Sequence, residues 1–328
     1  MITRSRGRPM ISWFLSLLFF ALPASYAVAQ TYPSKPIRML LPFPAGGPSD
    51  IIGRALGQRL SEQMGESVVP DNRGGAGGNV GLSVAAKMAP DGYNIVVATP
   101  GIALSPSLYE NLGYDPKEDL VSIARLAAIE NVLVVHPSVP ARNLREFVKL
   151  ARTHPGTLNY GSGGAGTTNH LANELLKTLQ NIDMVHVPYK GATLAAVALI
   201  GGEIDEVIVS VPSSLPFIRS GKLRALAVLS EKRVAPLPEV PTSSEAGIPE
   251  FKMSIWYGLL APRGLSNELV QRLNQETVKA LNTTELRDQF TKQGIEPWPG
   301  TPADLETLIR SETVRFAAIV KKAGLKKR

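Results

Sequence analysis

Cysteine is absent from all 328 residues. That excludes disulfides, thiolate metal sites, a cysteine nucleophile and a lipid-modified N-terminal cysteine. Aromatic residues are sparse, at 6 %, so a basic face interleaved with stacking rings, the footprint of a nucleic-acid binder, has little to be built from. The formal net charge of +7 does not restore that possibility. Arg4, Arg6 and Arg8 sit at one end, and Lys321, Lys322, Lys326, Lys327 and Arg328 at the other, which leaves the chain between them almost neutral. The basic end suits the last turn of a helix, where cations complement the macrodipole. Nucleic acid is not expected as a partner.

Motifs for catalysis are missing as well. There is no G-x-x-x-x-G-K-[ST] phosphate loop, no H-E-x-x-H zinc pair and no G-x-S-x-G nucleophile elbow. His136, His154, His170 and His186 are scattered, and the pair His170 and Glu174, four apart on one helix face, lacks a third metal ligand. Residues 161–166 read G-S-G-G-A-G and match G-x-G-x-x-G. The acidic residue that pattern wants at the end of the next strand is absent, because Asp183 opens its strand instead. No enzyme activity, metal or cofactor is expected.

What is present begins with an export signal. Three arginines precede an apolar stretch over 11–22, Pro23 and Ser25 break it, and Ala27-Val28-Ala29 supplies a small-x-small cleavage pattern before Gln30. The stretch is shorter than the roughly 20 apolar residues of a membrane-spanning helix. Residues 1–29 therefore read as a signal peptide, cleaved near Ala29-Gln30, that leaves a soluble periplasmic chain.

Along that chain, apolar runs alternate with helical patterns. Strands are expected at 37–42, 67–70, 93–99, 132–136, 158–160, 184–189, 204–210 and 223–230. The clearest helices are 51–64, 144–154, 171–179 and 193–200, followed by 267–281, 285–294 and 303–322. Alternation of this kind predicts α/β architecture with parallel, doubly wound sheets. Some 300 residues exceed one comfortable core, so two lobes are expected. Segments 127–131 and 254–260 look like crossings between them, which predicts 30–128 with 254–328 as lobe 1 and 129–253 as lobe 2.

Two loops stand where open parallel sheets bind ligands, outside the carboxyl ends of strands. The first is Phe43-Pro44-Ala45-Gly46-Gly47-Pro48-Ser49-Asp50, whose glycines admit close backbone approach; it also suits an ordinary strand-to-helix turn. The second is Ser162-Gly163-Gly164-Ala165-Gly166-Thr167-Thr168-Asn169-His170, rich in hydroxyls and exposed amides. Neither loop holds a lysine or arginine. An anion there would be gripped by neutral donors and helix dipoles. Lys190, in the turn Tyr189-Lys190-Gly191, either offers charge to such an anion or faces solvent.

Taken in order, the motifs resemble the solute receptors of tripartite tricarboxylate transporters, the Bug receptor family. The likeness runs from Tyr32 to about Gly324. It is carried by Pro36-Ile37-Arg38, the first loop, the glycine-rich 72–81, Ala89-Pro90-Asp91-Gly92-Tyr93 and Tyr114-Asp115-Pro116. It continues through the second loop, Val187-Pro188-Tyr189-Lys190-Gly191, Gly201-Gly202-Glu203-Ile204-Asp205, Pro238-Glu239-Val240-Pro241-Thr242 and Trp256-Tyr257-Gly258. The resemblance implies a monomeric, two-lobed Venus-flytrap protein of the type II periplasmic-binding architecture. It implies that a small carboxylate (a di- or tricarboxylate, an amino acid or an aromatic acid) is held between Phe43, Ala45, Gly46, Gly47 and Asp50 on one wall and Ser162, Gly164, Thr167, Thr168 and His170 on the other. Asp205 matches a recurrent family aspartate, with either a ligand or a capping role. The implied partner is the membrane permease of such a transporter, or alternatively a sensor kinase that reads the closed form. Pro44, Pro48, Ser49 and Glu206 depart from the usual family residues.

Overall fold

The computed structural model describes residues 1–3, 32–325 and 327. Backbone contacts divide the chain into two units, Met1–Tyr32 and Pro33–Arg328, and every element named below belongs to the second. The expected signal peptide and its cleavage point at Ala29-Gln30 lie outside the described residues. Among the described residues, no helix is long and apolar enough to cross a membrane.

The chain opens with β1 (Ile37–Leu41), α1 (Pro48–Met64), β2 (Val68–Asn72), α2 (Asn79–Ala86), β3 (Asn94–Ala98) and α3 (Gly101–Leu108). Then come β4 (Leu120–Val135), α4 (Leu144–Thr153), β5 (Asn159–Ser162), α5 (Thr168–Gln180) and β6 (Val185–Pro188). α6 (Ala192–Ile200), β7 (Glu206–Ser210), α7 (Val211–Arg219) and β8 (Arg224–Val228) follow. Last are β9 (Ser254–Pro262), α8 (Asn267–Leu281), α9 (Thr284–Lys292), β10 (Ile295–Pro297) and α10 (Pro302–Lys322).

The strands run in the order β2-β1-β3-β9-β4-β7-β5-β6, with β8 and β10 also paired to β4. Two groups are parallel, β1 with β2 and β3, and β5 with β6 and β7. All pairings of β4 and β9 are antiparallel. The expected parallel sheets are present as these two groups, and a pair of antiparallel strands joins them into one mixed sheet. The reason lies in β4. It is a single strand of 16 residues, roughly 50 Å long at the usual rise. Its register against β9 slips between Ser122 and Ala124 and again between Arg125 and Ala127. Each bulge breaks the two-residue alternation, so only the regular far end announces itself in sequence.

The two segments read as crossings lie side by side: Ile129 pairs with Ile255 and Glu130 with Ser254. Asn131, buried, donates from Nδ2 to Met253 O at 2.8 Å and ties the pair together. The later helices fold back onto this centre, α8 against α1 and β4, and α10 against α3 and β4. α10 starts at a capping box, Asp304 N donating to Thr301 Oγ1 at 3.1 Å and Thr301 N to Asp304 Oδ2 at 2.8 Å.

Close packing explains one glycine of the dinucleotide-like run. A β-carbon on Gly161 would lie 2.5 Å from Ile204 Cδ1 and 3.0 Å from both Ala195 Cβ and Val207 Cγ2. The residue serves the seat of α6 against β5 and β7. Gly161→Val is expected to cost about 2 kcal/mol through overpacking, read as a lower midpoint in urea unfolding; an unchanged midpoint would contradict this.

Candidate functional site

Five strand-to-helix junctions converge on one cavity of about 190 Å³. β1 hands over to α1 at Gly47, Pro48 and Ser49, and β3 to α3 at Thr99 and Gly101. β5 leads to α5 through Gly163, Thr167, Thr168 and Asn169. β6 leads to α6 through Lys190, Gly191, Ala192 and Thr193, and β7 to α7 through Ser210 and Ser213. The antiparallel centre adds Asn131 from β4 and Ile255 and Tyr257 from β9. Burial pushes the Tyr257 phenol far up, and its hydrogen bond with Ser49 only partly offsets that. It stays neutral.

The first turn of a helix leaves up to four N–H groups without intrahelical partners. In none of α1, α3, α5, α6 and α7 does the N-cap side chain accept from them, although in α5 His170 N donates to Asn169 Oδ1 at 3.1 Å. The helices whose N-cap side chains do accept such a bond are α4, α8 and α10, through Asn143, Ser266 and Thr301. None of these three caps borders the cavity. Each uncapped terminus carries roughly half a positive charge. Lys190 is the one charged side chain among the described residues lining the cavity, and no carboxylate joins it. Helix starts and a cation without a carboxylate are a chemistry that suits an anion.

Both glycine-bearing loops border this cavity, and the first also lies against the turn into α6. A β-carbon at Gly47 would stand 4.0 Å from Thr193 Oγ1, and one at Gly191 4.0 Å from Pro44 Cδ. On the other flank, Gly77 packs against the carbonyls of Ala165 and Gly166, and Tyr109 donates its hydroxyl to Ala165 O at 2.9 Å.

Of the residues expected at the site, Phe43, Ala45, Gly47, Thr167 and Thr168 line the cavity. The others do not. Asp50 lies behind the first loop: its carboxylate accepts from Gly46 N (3.0 Å), Arg54 Nε (2.9 Å) and Asn72 Nδ2 (3.1 Å). Burial would raise its pKa, but these three donors prevail and hold it below the usual carboxylate range. Gly46 spends its amide on that carboxylate. Asn72 also donates to Phe43 O at 3.0 Å, so Asp50 and Asn72 pin the loop. Ser162 is fully buried, and its hydroxyl accepts the amide of Gly164 at 3.1 Å, which takes that amide from any ligand. His170 is buried on α5 with its ring 4.4 Å from that of His186. Asp205 accepts from Asn159 N at 2.7 Å, while its own N–H donates to Asn159 O at 2.9 Å. It clamps the start of β5.

Sequence reasoning missed the contributions of α3, α6 and α7. A signal for them existed, because each follows a strand of a parallel group and the end of such a strand is where ligands bind. α3 and α7 were obscured by internal prolines, Pro106 and Pro216. Lys190, left open between ligand and solvent, is exposed and borders the cavity.

Comparison with known proteins agrees with this geometry. The model of the tripartite tricarboxylate transporter family receptor matches residues 52–325. Protein BugT of Bordetella pertussis is 35 % identical over 319 residues, covering 97 % of each chain. The structure of Rpa4515 from R. palustris with adipate superposes with a TM-score of 0.87 at 34 % identity, covering 90 % of this chain and 100 % of that one. MatC (Rpa3494) of Rhodopseudomonas palustris, with bound malate, gives 0.83 at 29 % identity, over 88 % and 100 %. The fold is the type II periplasmic-binding architecture of these proteins, and the matched family is one of solute-binding receptors, not of enzymes. With a receptor's fold and a cavity ringed by uncapped helix starts, the chain belongs to the tripartite tricarboxylate transporter receptor family.

Proposed function

We propose that this protein works in the periplasm, captures a small dicarboxylate between two lobes (30–128 with 254–328, and 129–253) and passes it to the permease of a tripartite transporter. One observation carries the reading: five helix starts without an N-cap side-chain bond and Lys190 surround a space that, among the described residues, no acidic side chain lines. Amides and dipoles hold one carboxylate without a buried cation, so no large desolvation penalty has to be recovered on release. Lys190, at the margin, complements a second negative group. The adipate and malate bound to the two Rhodopseudomonas proteins are both dicarboxylates, which supports the choice of class. Ligand contact with both loops favours the closed arrangement, and closure presents a surface for the permease.

The test is thermal unfolding of the mature chain with adipate, malate, hexanoate and adipamide. At a hundred times Kd a ligand adds about 2.7 kcal/mol by mass action. The dicarboxylates should therefore raise the transition by several degrees, hexanoate by less and the uncharged diamide not at all. A transition that ignores every acid defeats the reading.

A further inference from the structure

Behind the second loop lies a side-chain relay that never reaches the cavity. Residues two apart on a strand share a face, so Tyr160 and Ser162 of β5 point the same way, and β6 pairs His186 with Tyr160. The His186 ring stacks on Tyr160 (centroids 4.9 Å apart, planes 15° apart) and meets the His170 ring of α5 at 4.4 Å. Held between two rings, it brings Nε2 to 2.6 Å from Ser162 Oγ.

Ser162 Oγ passes this constraint on by accepting Gly164 N–H at 3.1 Å. Gly164 has φ +108°, a conformation that side chains rarely adopt, so the amide direction needs an external hold. Its carbonyl accepts from Thr167 Oγ1 at 2.6 Å and from Thr167 N at 3.3 Å. The turn between Ser162 and Thr167 is thus fixed at its amide by the imidazole–hydroxyl pair and at its carbonyl by the start of α5.

Two cavity walls depend on that turn. Gly163 lines the space, and a β-carbon there would come within 2.9 Å of Ala192 N, so the turn rests directly on the first residue of α6. Thr167 and Thr168 follow it into the cavity. A turn that drifts by about an ångström misaligns the amides of α5 and α6 together, and misplacement on that scale is costly at any preorganised site.

We infer that His186 and Ser162 are positioning residues: neither touches the ligand, but His186 acts through Ser162 to set the Gly163–Gly164 turn and with it the two helix starts of that wall. The inference rests on the capture reading for its affinity arm only.

The experiment uses the mature chain with Ser162→Ala, His186→Leu, His186→Gln and the double variant Ser162→Ala/His186→Leu. Amide exchange of Gly164 is followed without ligand, and adipate affinity by calorimetry. Exchange should rise about tenfold in Ser162→Ala and His186→Leu. His186→Gln, whose side-chain amide can take the place of Nε2, should stay near the parent. Adipate affinity should fall about tenfold in each of those two single variants and no further in the double, the signature of two groups acting as one. Losses that multiply in the double variant, or Gly164 exchange that His186→Leu leaves unchanged, would overturn the inference. Should His186→Leu not fold, Ser162→Ala removes only one hydroxyl and decides the exchange arm. A parent that ignores adipate sinks the capture reading, and Gly164 exchange still decides this one.

Discussion

Gly47→Leu should weaken dicarboxylate binding by at least about a hundredfold, some 2.7 kcal/mol, without lowering the stability of the fold. The backbone at Gly47 is already extended, with φ −86° and ψ 173°, a region open to any residue. A β-carbon there meets Pro44 O at 3.8 Å and Thr193 Oγ1 at 4.0 Å, which are ordinary contacts. Replacing glycine where the conformation suits other residues stabilises by about 0.4–1 kcal/mol, through a less flexible unfolded chain. The branched side chain, however, projects from a residue that lines a space of about 190 Å³ and displaces whatever the α1 and α6 starts would hold. Gly163→Leu is the contrasting control. Its β-carbon would strike Ala192 N at 2.9 Å, so both binding and stability should drop. Calorimetry with adipate beside chemical unfolding separates the two outcomes. Full affinity in a folded Gly47→Leu variant would place the ligand elsewhere.

Much of the fold could be read because the parallel strands are short and bracketed by turn residues, and β1, β3, β5 and β7 are also largely buried. β1, for instance, has four of its five residues buried. Of the centre, segments 127–131 and 254–260 were legible but the first part of β4 was not, because its two bulges remove the period on which strand reading depends. At the site, Gly47, Thr167 and Thr168 were legible as glycine and hydroxyl positions after buried strands. Gly46, Asp50, Ser162, Gly164 and Asp205 carry the same chemical marks yet spend them inside the protein: the Gly46 amide donates to Asp50, the Gly164 amide to Ser162, and Asp205 accepts from Asn159 N at the start of β5. Sequence cannot separate a donor aimed at a ligand from one that holds the loop, since both need the same residue types at nearly the same spacing. The convergence of five helix starts is a property of strand order, and no local pattern encodes it.

Glu206, the residue that departs from an otherwise apolar strand, sets the other large expectation. It lies on β7 with no solvent exposure, paired across the sheet with Tyr160 and Val135. Asn173, also fully buried, lies close enough to ease the penalty, yet neither carboxylate oxygen has a partner in proper hydrogen-bond geometry. Burial raises the pKa well above the ordinary carboxylate value, and the nearby charge of Asp205 adds to the rise. A raised native pKa means that the folded state holds the proton more tightly than the unfolded chain does. Stability then declines as pH climbs above the unfolded value of about 4.3, and goes on declining up to the raised native pKa. Glu206→Gln keeps the shape and removes the charge. At pH 8 the variant should therefore be more stable than the parent by about 2 kcal/mol, or roughly 5 °C in the unfolding transition. Near pH 4.5, only just above the unfolded value, the parent has lost little of that stability, and the two transitions should lie close together. Because Glu206 does not border the cavity, adipate affinity should change little in the same variant. Parallel melting profiles for the two proteins from pH 4.5 to 8 would mean that this carboxylate is solvated or paired in the folded protein.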